Sequence, residues 1–161
     1  MSTRVYVPSS PSRLRELAVS GGIGPAPVTA HAVTTAVRTA LADAGEEEQE
    51  YAVLTAAAQD SLALLTDEDP PRRVVVVAEA ETVTEAGEGS LVAVEEVVSL
   101  RAVVAVHVDS DDAADDVSAA RTAWEGARSG DAEAQGRVDR CEEHELGWFA
   151  TQEIGSLVEP A

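Results

Sequence analysis

Arg72-Arg73-Val74-Val75-Val76-Val77-Ala78 is the stretch whose reading decides the fold. It follows Pro70-Pro71, which prevents any preceding helix from continuing. Four valines and an alanine in succession leave no polar face. A strand that is apolar on both sides belongs at the centre of a sheet with both faces covered.

Upstream of this run, Tyr51, Leu54, Ala58, Leu62 and Leu65 recur at helical spacing. The spacing predicts a helix that begins at the acidic run Glu46-Glu47-Glu48, where the helix dipole favours negative charge, and ends near Asp67. Before it, Thr34 is placed to cap a helix whose apolar side holds Val37, Ala40 and Leu41. Residues 28–33 read as a strand, and Gly24-Pro25-Ala26-Pro27 as an extended connector. At the start, residues 5–7 form a short strand ended by Pro8. Ser10 then serves as N-cap and Pro11 as first residue of a helix with Leu14, Leu17 and Ala18 inward, closed by Gly21-Gly22.

Downstream, Gly87 and Gly89 mark a turn, and the acidic stretch 81–90 is expected to be a mobile loop. Residues 91–98 and 103–109 read as strands. Asp109 or Ser110 caps the next helix, with Asp111 and Asp112 in its first turn and Val117, Ala120, Trp124 and Ala127 along one side. After Ser129-Gly130, residues 131–145 form a more polar, peripheral helix. Trp148-Phe149-Ala150 is a last short strand, and Thr151 caps a final turn carrying Ile154 and Leu157. Irregular alternation of this kind predicts one α+β domain over residues 1–161, with a mixed sheet of about five strands covered by helices. A ferredoxin-like plait is one arrangement that fits.

Charge excludes more than it identifies. The chain has 161 residues, 30 acidic residues, 11 arginines, no lysine and no asparagine, for a formal charge of −19. Schiff-base lysines, P-loop lysines and lysine general bases are thereby excluded, and nucleic acid finds no positive field. GC-rich coding accounts for these absences more simply than adaptation to salt, because Ile, Phe and Tyr are scarce as well. One cysteine, Cys141, allows no internal disulfide and fits a reducing compartment. The first residues carry no apolar h-region, and the apolar runs are too short to span a bilayer, so a cytoplasmic protein without membrane attachment is expected.

Four clusters are candidates for chemistry. His107 and Asp109 lie two apart at a strand end, on one face, where a histidine and a carboxylate could perform acid–base work. The acids around them fail as a calcium loop, because Ala113, Ala114 and Ala120 stand where ligands and glycine are needed. Helix capping explains those acids more simply. Cys141 and His144 share a helix face and could supply two zinc ligands, but with only His31 and His107 besides and no second cysteine, a surface helix with a partly buried thiol explains them more simply; no metal or cofactor is implied. Trp148, with Gln152 and Glu153 close by, could form a binding surface or anchor the C-terminus to the core. Arg72 and Arg73, with Arg4, Arg13 and Arg15, could hold an oxyanion or offset neighbouring acids. Gly21-Gly22-Ile23-Gly24 matches no nucleotide fingerprint, and Gly-x-Ser-x-Gly is absent.

Several short segments taken together, Val5-Tyr6-Val7-Pro8, Ala32-Val33-Thr34, Ser61-Leu62-Ala63-Leu64-Leu65, Val106-His107-Val108-Asp109 and Gly147-Trp148-Phe149-Ala150-Thr151-Gln152-Glu153-Ile154, resemble a small family of actinobacterial proteins built on a domain of unknown function. The resemblance spans nearly the whole chain. It implies one cytoplasmic domain and a GC-rich bacterial source, and it carries no activity, cofactor or catalytic residue.

With no complete catalytic constellation, the sequence points first to a non-catalytic acidic module that binds a basic protein or a second copy of itself. The alternative is a small ligand- or metal-binding domain or enzyme using His107 and Asp109. Nucleic-acid mimicry by the acidic surface is a third reading.

Overall fold

In the computed structural model, which describes residues 1–87 and 89–158, the valine run becomes an interior strand, β4 (Val74–Ala80). Its neighbours are β1 (Thr3–Ser9) and β8 (Val103–Val108), both antiparallel to it. Beyond β1 lie β3 (Val28–His31), β6 (Leu91–Val94) and the edge strand β5 (Val83–Glu85). Beyond β8 lies the other edge, β9 (Gly147–Phe149). The spatial order is β5-β6-β3-β1-β4-β8-β9, and a separate ribbon pairs β2 (Gly22–Ile23) with β7 (Val98–Ser99).

Pleating sends alternate residues of β4 to opposite faces. Val74, Val76 and Ala78 join Val5, Val7, Val106 and Val108 under α1 (Pro11–Ser20), which contributes Leu14 and Leu17, and α6 (Ile154–Val158), which contributes Ile154. Val75 and Val77 face the other way, with Tyr6 and Ala105, beneath α2 (Thr35–Ala40) and α3 (Glu46–Ser61). Each such valine contributes roughly 1.5–3 kcal/mol by burial, so occupancy of both faces is what fixes β4 in the middle. A third apolar cluster lies beside the sheet. There α4 (Ala114–Arg128) and α5 (Ala132–Arg140) pack Val117, Ala120 and Val138 against Leu62 and Leu65. Gly126 permits the close approach of these helices, since a Cβ there would meet the Ala134 methyl at 3.2 Å.

Local signals are realised in several places. Ser10 accepts from Arg13 N at 3.2 Å as N-cap of α1, and Gly21, at φ 81°, closes that helix. Thr34 Oγ1 accepts from Val37 N at 3.2 Å at the start of α2.

The fold is α+β, but the sheet has seven strands rather than about five, and its pairings are antiparallel rather than mixed. A ferredoxin-like plait would bring parallel strands together at its centre; β1 and β4 run antiparallel. Edge strand β5, of three residues, is too short to show a period, whereas the strand expected at 148–150 is present as β9. The expected strand over 91–98 breaks after Val94, because the Glu96 carboxylate turns back to accept from Glu81 N at 3.0 Å and Thr82 N at 2.6 Å. Helix α3 buries Val53, Ala57, Ala58 and Ser61, whereas Tyr51 stays 54% exposed. In so alanine-rich a helix, small side chains permit closer approach to the sheet than the larger stripe would. Of the stretch 81–90, Val83–Glu85 forms β5, Gly87 and Gly89 adopt positive φ, and Glu88 lies outside the described residues. Among the described residues no helix is long and apolar enough to cross a membrane.

Candidate functional site

Pro8 lies inside β1, an interior strand, and proline has no N–H to give a ladder. The ladder to β4 runs unbroken from Thr3↔Ala80 through Pro8↔Val75 to Ser9↔Val74. On the other side, β1 meets β3 in register only at Tyr6↔His31. From that point the strands part, and a cavity of about 650 Å³ opens beside Val7–Ser9 of β1 and Val28 and Thr29 of β3. This volume lies within the range of small-molecule sites, roughly 300–1,000 Å³.

The walls come from elements far apart in sequence. Helix α1 contributes Arg13, Glu16 and Leu17; the short 3-10 turn after α3 contributes Ala63 and Leu64; α4 contributes Trp124 and Arg128. The connector Gly22–Pro27 closes one side. Gly22 and Gly24 pack closely there: a Cβ at either would come within 3.0–3.1 Å of the Val97 methyls. The lining is thus mixed, with apolar surface from Val7, Leu17, Ile23 and Leu64 and a few polar groups among them.

Two of those groups are arginines. Arg128 lies over the Trp124 ring, 5.7 Å from its centroid, within the range of a cation–π contact. Neither Arg13 nor Arg128 has a carboxylate within 4.0 Å among the described residues. The arginines grouped with Arg13 in the sequence are engaged elsewhere. Arg4 binds Glu79 at 3.0 Å, Arg72 binds Asp111, Arg73 binds Asp109, and Arg15 donates to the Val158 carbonyl at 3.2 Å. Offsetting of acids therefore explains Arg4, Arg72 and Arg73 and leaves Arg13.

Asp60 brings a carboxylate to the same cavity from the end of α3. Its Oδ2 lies 2.6 Å from His31 Nε2, and His31 Nδ1 lies 2.7 Å from Ser90 Oγ. A neutral ring that donates to Asp60 from Nε2 accepts the Ser90 hydroxyl at Nδ1. Hydroxyl, imidazole and carboxylate follow the order of a nucleophile relay, but it is the carboxylate, not the serine, that lines the cavity. His31 is 5% exposed, so it holds Asp60 in place from within the core.

The candidates from sequence lie elsewhere. Asp109 is neither a helix cap nor a free base. Its Oδ2 accepts from Arg73 Nε at 2.7 Å and Arg73 N at 2.9 Å, and its Oδ1 from Arg73 Nη2 at 2.8 Å. His107 pairs across strands with Trp148 and is half-buried, with Nδ1 enclosed and without a hydrogen-bond partner among the described residues; burial lowers its pKa. His107 and Trp148 are thus brought together, whereas Asp109 is committed to Arg73. Trp148 is 62% exposed on edge strand β9. Gln152 is exposed, and the exposed Glu153 caps its own 3-10 turn by accepting from Ala150 N at 2.7 Å. Cys141 is buried, its thiol pushed up to about 11 chiefly by burial, and His144 binds Asp116 at 2.7 Å. Among the described residues no group of three potential ligands could hold a metal.

The model of a family described as "Family of unknown function (DUF6912)" matches residues 3–158. The chain belongs to that family. No curated protein matches it, and no solved structure does. The family match covers every wall of the cavity, from Val7 to Arg128, and assigns a role to none of them.

Sequence reasoning missed His31, Asp60, Trp124 and Arg128 as site residues. Two signals could have found part of the site. A proline inside a run otherwise fit for an interior strand marks a break in one ladder. Trp124 and Arg128, four apart on a helix, are neighbours on one face and come within cation–π range.

Proposed function

We propose that this protein binds a small molecule in the cavity between the parted ends of β1 and β3. One observation carries the proposal: about 650 Å³ of space with apolar walls and a few convergent polar groups, two of them arginines without a carboxylate partner among the described residues. Binding, rather than catalysis, is the function this supports, because Asp60 is held by His31 and Ser90 does not reach the cavity. A cytoplasmic setting suits a lone buried thiol.

The test is a thermal-shift screen of small organic compounds against matched salt controls, on the native chain and on Ala63→Trp. Ala63 is exposed on the cavity wall, so the indole fills space without disturbing the core. A ligand at 100 times its Kd stabilises by about 2.7 kcal/mol. A selective shift that Ala63→Trp abolishes supports the proposal; a shift that survives the substitution contradicts it.

A second reading has its own observation. Trp148 is exposed on an edge strand whose outer side is unpaired among the described residues, beside the half-buried His107, in a chain of charge −19. Such an edge suits strand addition by a basic protein segment, with Trp148 as the anchor. Trp148→Ala together with a pull-down at low and high salt tests it: a stoichiometric basic partner lost in the variant supports it, and an unchanged eluate opposes it.

A further inference from the structure

The charges that line the cavity say more than its volume does. Seven of the eleven arginines have no carboxylate within 4.0 Å among the described residues, so what sets Arg13 and Arg128 apart is where they lie. Arg13 and Arg128 come from α1 and α4, helices separated by most of the chain, yet both line one cavity and neither has a carboxylate within 4.0 Å among the described residues. Arg128 also lies over the Trp124 ring, 5.7 Å from its centroid, and a guanidinium can grip a planar or tetrahedral oxyanion through two hydrogen bonds.

We infer that the ligand of this cavity is a small organic oxyanion, a carboxylate or phosphate ester, held by Arg13 and Arg128. The inference rests on the binding role proposed above and names the chemistry of its ligand. Glu16 and Asp60 are the opposing charges on the same walls. Asp60 is held through Oδ2 by His31, which leaves Oδ1 to accept from a donor on the ligand. The −19 charge repels anions at long range, but beyond about 8 Å physiological salt screens it, so the arginines at contact distance decide which ligand stays.

A matched pair of probes for each oxyanion tests this by calorimetry at physiological salt. Indole-3-acetate is compared with indole-3-acetamide, and adenosine 5′-monophosphate with adenosine. In at least one pair the anion should bind about tenfold or more tighter than its neutral partner, as hydrogen bonds to charged groups require. Arg13→Gln and Arg128→Gln should each erode that preference, and the pair that shows it distinguishes carboxylate from phosphate ester. Both arginines are exposed, and an unchanged unfolding midpoint shows that the fold is kept. A neutral partner that binds as well as its anion in both pairs overturns the inference, as does a preference that survives the double arginine variant, or no binding in either pair. Ala63→Trp separates the two failures. Neutral binding that it abolishes leaves the cavity as a binding site for another class of ligand, whereas binding that survives it removes the cavity as the site.

Discussion

The guanidinium of Arg73 and the carboxylate of Asp109 meet through two parallel hydrogen bonds of 2.7 and 2.8 Å, with side chains 3% and 0% exposed. The pair lies where β4 begins and β8 ends, and Asp109 N returns a bond of 3.2 Å to Arg73 O. It fastens two interior strands at one end, and a further bond of 3.1 Å from Arg73 to the His144 carbonyl ties in the chain leading to β9.

Removing one partner leaves the other charge buried and alone. Asp109→Ala or Arg73→Ala is expected to cost about 3–5 kcal/mol in urea unfolding, while a double replacement by apolar residues of similar size should recover most of that loss. If the single variants unfold like the native chain, the pair is not the fastening described.

His107 should behave as a structural residue with a polar defect. Its Nδ1 is enclosed without a partner among the described residues, so His107→Leu is expected to leave stability unchanged or raise it, by up to about 1–3 kcal/mol. Burial lowers its pKa, so the unfolded chain takes up a proton at a pH where the folded chain does not. Stability from this group is therefore full above its ordinary pKa of about 6.5 and is lost as pH falls through the folded value. His107→Leu should flatten that part of the stability profile. A steeper profile in the variant would reverse the sign and refute the assignment.

Cys141 is buried with its thiol raised to about 11, so almost no thiolate exists near neutral pH. Native protein at pH 8 should resist a thiol-specific disulfide reagent, and urea-unfolded protein should react fully. Fast labelling of the native chain would contradict the burial of Cys141 against α4 and α5.

The valine run gave its own position away, because five apolar residues in a row admit few other readings. Ser10, Thr34 and Gly21 were equally legible, since capping is local chemistry. The buried face of this segment was legible in part: of the expected stripe Ala58, Leu62 and Leu65 are buried, but Tyr51 is exposed, and only packing against the sheet selects Val53 and Ala57. The same limit hid the cavity: Arg13, Asp60 and Arg128 come together only once α1, α3 and α4 have taken their places round the parted strands. The position of Asp109 at a strand end is visible in the sequence, but its partner Arg73 lies 36 residues away, beyond any local pattern.

The two tryptophans supply the most direct measurement. Trp124 lines the cavity and Trp148 stands on edge strand β9, so their indole N–H resonances in a 15N spectrum, assigned with Trp148→Phe, report on the two candidate surfaces separately. Titration with the small organic anions is expected to move the Trp124 resonance, to leave Trp148 in place, and to lose its effect in Arg128→Gln. A Trp124 resonance that no compound moves, or a response confined to Trp148, would contradict the cavity as the functional site.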